Sequence, residues 1–248
     1  MNKKNYCQQI SFIKQICCFI IGLFVLQLIS IIVTSIFSTI LVSNGLSNEE
    51  IQARFLGREG MIINAIVYLI TFLVFVFTLN RDIKVIFNSS FNKAKNYFAG
   101  IICLLVMIAL TKFYSSIISP YLSSFENSNQ TAIVAYTEAF PLLAFITFVI
   151  FGPICEEFTY RLGLYSLIRR KGKYLAIILS SLIFAFIHFD FTTIMSGDIS
   201  LFINELLIIP SYIISGICLA FIYEKYGLAA SLTTHILNNF IAILEIMF

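Results

Sequence analysis

Seven long apolar runs constrain this chain more than any other feature. A hydrocarbon core about 30 Å thick takes roughly 20 consecutive apolar residues of helix. Seven segments meet that need: Ile16–Val42, Met61–Leu79, Tyr97–Ser119, Phe140–Ile168, Tyr174–Phe189, Leu201–Tyr223 and Leu228–Met247. Within lipid the backbone must close its hydrogen bonds inside each segment. The expected fold class is therefore all-α, a polytopic membrane bundle of about seven transmembrane helices. Composition agrees: 12% of residues are charged, against about a quarter in soluble domains. Trp is absent, and Phe and Tyr are left to fill the interfacial role.

The N-terminus carries Lys3, Lys4 and Lys14 ahead of an apolar run, as a signal peptide does. That run is too long for a cleaved segment and lacks a small-x-small site, so it reads as an uncleaved first span. Basic residues set the orientation. Lys3, Lys4 and Lys14 precede span one, Arg81, Lys84, Lys93 and Lys95 follow span two, Arg169 to Lys173 follow span four, and Lys225 follows span six. On the opposite side the first loop holds only Arg54 and Arg58, and the loops Pro120–Ala139 and Asp190–Ser200 hold no Lys or Arg. This predicts a multi-pass protein of the cell membrane, with a cytoplasmic N-terminus and an external C-terminus.

The net charge of +3 forms no basic stripe, which argues against a nucleic-acid partner. The six cysteines follow no metal-ligand spacing and lie mostly in apolar stretches, where Cys packs as a small hydrophobe. Ser43–Gly60 reads as an external loop with a short amphipathic surface helix, and Ser123–Thr131 as another external loop. With no repeat or linker, one membrane domain is expected. Residues 1–139 would supply N-terminal helices that wall a cavity, and residues 140–248 the part that carries the chemistry.

A charge at mid-bilayer costs a few kcal/mol and usually faces a bundle interior. The ionisable groups within spans are Lys112, Glu156, Glu157, Arg161, His188, Glu205, His235 and Glu245. Lys112, Glu205 and Glu245 lie near span ends or can snorkel. Glu157 and Arg161 stand at i,i+4 with the acid first, the favourable order for pairing on a helix. Glu156 points about 100° away from Glu157 and is left to face a cavity. The stretch "FAFIH" puts Phe184 and His188 on one face, and "HILNN" does the same for His235 and Asn239. At about 1.5 Å per residue, Glu156 lies roughly 20 Å, His188 roughly 23 Å and His235 roughly 15 Å from the nearest basic cluster. Three helices thus deliver a carboxylate, two imidazoles and a carboxamide to one layer.

A carboxylate with a histidine can deprotonate a water, and a second histidine with an asparagine can stabilise an oxyanion. This set suits hydrolysis of an amide without a nucleophilic Ser or Cys. A His/Glu set can also hold zinc, but there is no HExxH spacing to call for it. The same polar groups would also serve a scaffold that locks helices together or a proton relay.

"EEFTYR" fits EExxxR, "FAFIH" fits FxxxH and "HILNN" fits HxxxN, in this order on successive helices. Over about Phe140 to Asn239 the chain resembles the CPBP family of intramembrane endopeptidases. These are the CAAX-processing and bacteriocin-processing proteases, also called the Abi or type II CAAX prenyl endopeptidase family. The resemblance implies that Glu156 activates water with His188, that His235 and Asn239 form the oxyanion site, and that Glu157, Arg161 and Phe184 support them. It implies a cavity open toward the cytoplasm and a hydrophobic or lipidated peptide or protein substrate among membrane lipids. No tightly bound metal is favoured, with zinc as the alternative. The Phe-, Ile- and Asn-rich composition reads as bacterial, so peptide or protein-tail processing, or self-immunity to a bacteriocin, is the expected role. One departure stands out: Leu162 precedes Gly163 where many members have Gly directly after the arginine.

Overall fold

The structure, a computed structural model, describes residues 9–122 and 128–248. Lys3, Lys4 and Cys7, together with Ser123 to Asn127 of the expected external loop, lie outside the described residues. Eleven helices follow in order among the described residues: α1 Phe12–Ser43, α2 Asn48–Phe55, α3 Arg58–Leu79, α4 Ile83–Ser90, α5 Ala94–Tyr121, α6 Ser128–Ala139, α7 Pro141–Arg169, α8 Lys173–Phe186, α9 Thr192–Ser196, α10 Ile199–Tyr226 and α11 Leu228–Met247. The described residues contain no strand. The protein is a polytopic helical bundle.

Six helices (α1, α3, α5, α7, α10 and α11) are long and apolar enough to cross a membrane. The fifth expected span departs from the sequence reading. It forms α8, a 14-residue helix, or roughly 21 Å, which is short of a 30 Å core. The helix stops at Phe186, and Ile187 to Asp190 continue in turns. His188 therefore lies just past a helix end and not within a span. The stretches read as loops around Pro120–Ala139 and Asp190–Ser200 also contain helices, α6 and α9. The surface helix expected within Ser43–Gly60 is present as α2. Its first turn is closed by a capping box in which Ser47 Oγ accepts from the Glu50 N–H and Glu50 accepts from the Ser47 N–H.

Small residues let the helices approach closely, as lipid-embedded bundles require. A Cβ on Gly22 would stand 1.7 Å from Thr159 Oγ1, and one on Gly163 would stand 2.8 Å from the Phe19 backbone nitrogen. Span one thus lies directly against the helix that carries the acidic pair. A Cβ on Gly216 would stand 2.9 Å from Ser181 Cα, which sets α10 against α8. Gly163 supplies this close approach to span one, and Leu162 is buried in the core beside it.

The turn from α10 to α11 is a single residue, Gly227, at φ +81°. Glycine adopts that left-handed angle without a Cβ penalty but has no side chain to cap the next helix. Ser90 at the end of α4 supplies the cap: its Oγ accepts from the Ala229 N–H at 2.8 Å and lies 3.3 Å from the Tyr226 carbonyl. At the same end of the bundle, Arg169 pairs with Glu224 at 2.8 Å, Tyr165 donates to Glu224, and Lys14 pairs with Asp82. The termini of α7 and α10 are thereby fixed, and with them the height of every polar group further up these helices.

Candidate active site

The site is built on α7, which is not a regular helix. Its α-helical centre, Gly152–Glu157, lies between two π-helical stretches, Phe145–Phe151 and Phe158–Tyr165. Such insertions shift side-chain register and are common at functional sites. The sequence "FGP" explains part of this. The Gly152 N–H bonds to Thr147 O, and Pro153 has no N–H to give. The Phe148 carbonyl, five residues before Pro153, therefore lacks a π-type donor. It receives one from Asn239 Nδ2 at 2.9 Å. A backbone vacancy on α7 thus positions a carboxamide of α11.

Glu157 is fully buried and bonded on both carboxylate oxygens. Arg161 Nε donates to Oε2 at 3.2 Å, and His235 Nδ1 donates to Oε1 at 3.1 Å. Arg161 is also fully buried, and its guanidinium stacks 5.3 Å from the centre of the Phe184 ring. Its Nη1 and Nη2 have no hydrogen-bond partner. Because Nδ1 of His235 carries the hydrogen given to Glu157, its other nitrogen, Nε2, is turned toward Glu156 Oε2 at 3.6 Å. The order is Arg161, Glu157, His235, Glu156: a cation, a carboxylate, an imidazole and a second carboxylate.

Glu156 points away from Glu157, as the helical offset predicts. Its side chain is 19% exposed in a cavity of about 670 Å³ whose walls also include His188, His235 and Asn239. The imidazole within 4.0 Å of its carboxylate belongs to His235. His188 shares the cavity, and its Nδ1 donates to the Phe184 carbonyl at 2.8 Å. A carbonyl can only accept, so this bond leaves the His188 Nε2 lone pair available when the ring is neutral. Tyr212 stacks on His188 at 4.4 Å and holds its plane. Phe184 packs against both imidazoles, 5.0 Å from His188 and 6.1 Å from His235.

All seven residues singled out from the sequence meet around this cavity or directly behind its wall. Sequence reasoning missed the uncharged polar lining: Gln27, Asn64, Asn129, Tyr136, Tyr212 and Asn238. A search confined to ionisable groups passes over these residues. The signal that could have found them was Gln or Asn within an apolar run, as at Gln27 and Asn64. Of the three groups set aside as peripheral, Lys112 and Glu245 are exposed, whereas Glu205 is buried and accepts from the Asp190 N–H at 3.3 Å. Among the described residues, no three His, Cys, Asp or Glu side chains converge as a metal-ligand group. The chemistry below is assigned to side chains alone.

The arrangement is a buried Glu/His/Asn centre within a polytopic membrane bundle. Comparison with known families makes this specific: residues 138–241 match the family described as Rce1-like, type II CAAX prenyl endopeptidase. This part of the chain, about two-fifths of its length, is similar to that family of intramembrane CAAX-type endopeptidases. No match was found among curated proteins or among solved structures.

Proposed function

We propose that the protein hydrolyses a peptide bond near the membrane with a water activated by Glu156 and His188. The observation that carries this reading is the linked set Glu157–His235–Glu156, at 3.1 and 3.6 Å, on the wall of a polar cavity inside an apolar bundle. Glu156 accepts a proton from the water, assisted by the available Nε2 of His188, and the oxygen attacks the carbonyl carbon. The carbonyl electron pair moves onto oxygen. The oxyanion is held between His235 and Asn239, whose second N–H donates to it. Collapse breaks the C–N bond, and the departing amine takes the proton held by Glu156. Glu157 and Arg161 act through His235, as positioning residues.

The cavity volume lies within the range of about 300–1,000 Å³ usual for binding clefts, large enough for a short extended segment. The substrate in this reading is a hydrophobic or lipidated peptide or protein tail, presented among membrane lipids. Peptide processing or bacteriocin self-immunity is the biological role it supports. The N-terminus is cytoplasmic, following the basic residues at the shared end of α1, α3, α7 and α10.

The test is peptide cleavage by the purified protein, parent against Glu156→Gln, read by mass spectrometry. Prenylated tail peptides and small hydrophobic secreted peptides form the panel. Products from the parent and none from an equally stable Glu156→Gln are expected. Identical products from both would overturn the assignment of Glu156.

A further inference from the structure

The cavity is closed at one end and open at the other, and the closed end is the basic one. Glu156 lies roughly 20 Å up α7 from Arg169. On the basic side of Glu156 the lining residues Met107, Thr159, Tyr160 and Leu219 are at most 3% exposed, and Gly22 and Leu23 of α1 are half-buried. Behind them Arg161, Leu162, Tyr165 and Tyr223 pack at 0–1% exposure, with Tyr165 and Tyr223 edge to face at 5.6 Å. This floor separates the site from Arg169, Lys173 and Lys225.

In the other direction the lining continues past Asn239 to Ala242 and Ile246 on α11, to Asn64 on α3, and to Asn129 and Gln130 on α6. Asn129 and Gln130 are exposed at its rim. Short α8 contributes to this opening. It ends at Phe186, so His188 and Asp190 line the cavity from a turn instead of being covered by a further helical turn.

We infer that substrate reaches Glu156 from the side of the membrane opposite the basic helix ends, which is the extracytoplasmic side when basic loops lie inside. The occupant is an uncharged, extended peptide segment. Apart from the catalytic groups and Asp190, the polar lining consists of amides and hydroxyls, including Gln27, Asn64, Asn129, Tyr136 and Asn238, which can pair with a peptide backbone. This departs from the cytoplasmic opening that the family resemblance implied. It rests on the peptidase reading for its occupant, but the direction of the opening can be tested without it.

The test uses single cysteines added at Ala242, within the cavity, and at Lys173, at the basic end, each compared with the parent chain to subtract native thiols. A membrane-impermeant maleimide is applied to spheroplasts and to inside-out vesicles. Added labelling of Ala242→Cys in spheroplasts, with Lys173→Cys labelled only in inside-out vesicles, is the expected result. Labelling of Ala242→Cys only together with Lys173→Cys in inside-out vesicles, or in neither preparation, overturns the inference. Cleavage by the parent in detergent, with none by Glu156→Gln, is scored separately. A failed peptidase reading therefore leaves the labelling result decisive for the opening.

Discussion

His235 gives its Nδ1 hydrogen to Glu157 across 3.1 Å, and this bond aims the opposite ring nitrogen at Glu156. The two adjacent glutamates thus have different positions relative to one imidazole. Glu157 is sealed between Arg161 and His235, whereas Glu156 stands in the cavity. Identical side chains one residue apart acquire different tasks because a helix turns about 100° between them.

That difference predicts opposite outcomes for two conservative substitutions. Glu157→Gln removes the carboxylate facing buried Arg161 and leaves a guanidinium unpaired, a loss of about 3–5 kcal/mol in stability. Glu156→Gln should leave stability near the parent's while lowering kcat by about 10²–10⁴-fold, the usual contribution of a general base. Thermal unfolding in detergent and cleavage kinetics on the same preparations check both. A large stability loss in Glu156→Gln would show that its carboxylate is structural.

Asn239 serves the backbone of α7 and, in the proposed reaction, the oxyanion. Asn239→Ala should reduce kcat by about 10²–10³-fold. It should also destabilise by about 1–3 kcal/mol, because the Phe148 carbonyl loses its donor. The discriminating measurement is kcat at a temperature well below unfolding. An unchanged kcat there would leave Asn239 only its structural bond.

Span one has no place in the proposed chemistry, yet it lies against the α7 helix at Gly163. Gly163→Ala would put a Cβ 2.8 Å from the Phe19 nitrogen, where the neighbour is backbone and cannot rotate away. Overpacking of this kind costs about 1–3 kcal/mol. The substitution should lower the unfolding temperature, and replacing Phe19 by a smaller side chain should not restore it. Rescue by that second change would place the clash in the side chain.

Ser90 caps a helix that begins more than a hundred residues later. Ser90→Ala removes the acceptor for the Ala229 N–H and should cost about 1 kcal/mol. Cleavage rates measured below unfolding should remain at the parent level, since the cap lies at the closed, basic end of the bundle. Hydrogen exchange at Ala229 reports the change directly, and unaltered protection there would contradict the assigned cap.

Much of this protein was legible in its sequence because membrane helices announce themselves by length and apolarity. Charged or imidazole side chains inside such helices are costly enough to stand out. Glu156, Glu157, Arg161, His188 and His235 were all found that way, Asn239 by its i,i+4 place beside His235, and family resemblance supplied their expected roles. The i,i+4 pairing of Glu157 with Arg161 followed from helical geometry alone. Uncharged Gln27, Asn64 and Asn238 were missed because a single amide in an apolar run carries too little cost to mark a site.

Tertiary structure decided the rest. Length predicted seven spans, but α8 ends early and leaves His188 on a turn. Local spacing could not show that His235, on a distant helix, would stand nearest Glu156. Nor could it show that Pro153 would leave a carbonyl for Asn239, or that one end of the cavity would be packed shut. Composition and local periodicity act along a single helix, so they determined the class of fold and the candidate groups. The partner of each group, and the direction from which it is reached, depend on which helices meet and at what height, and only packing among distant segments settles that.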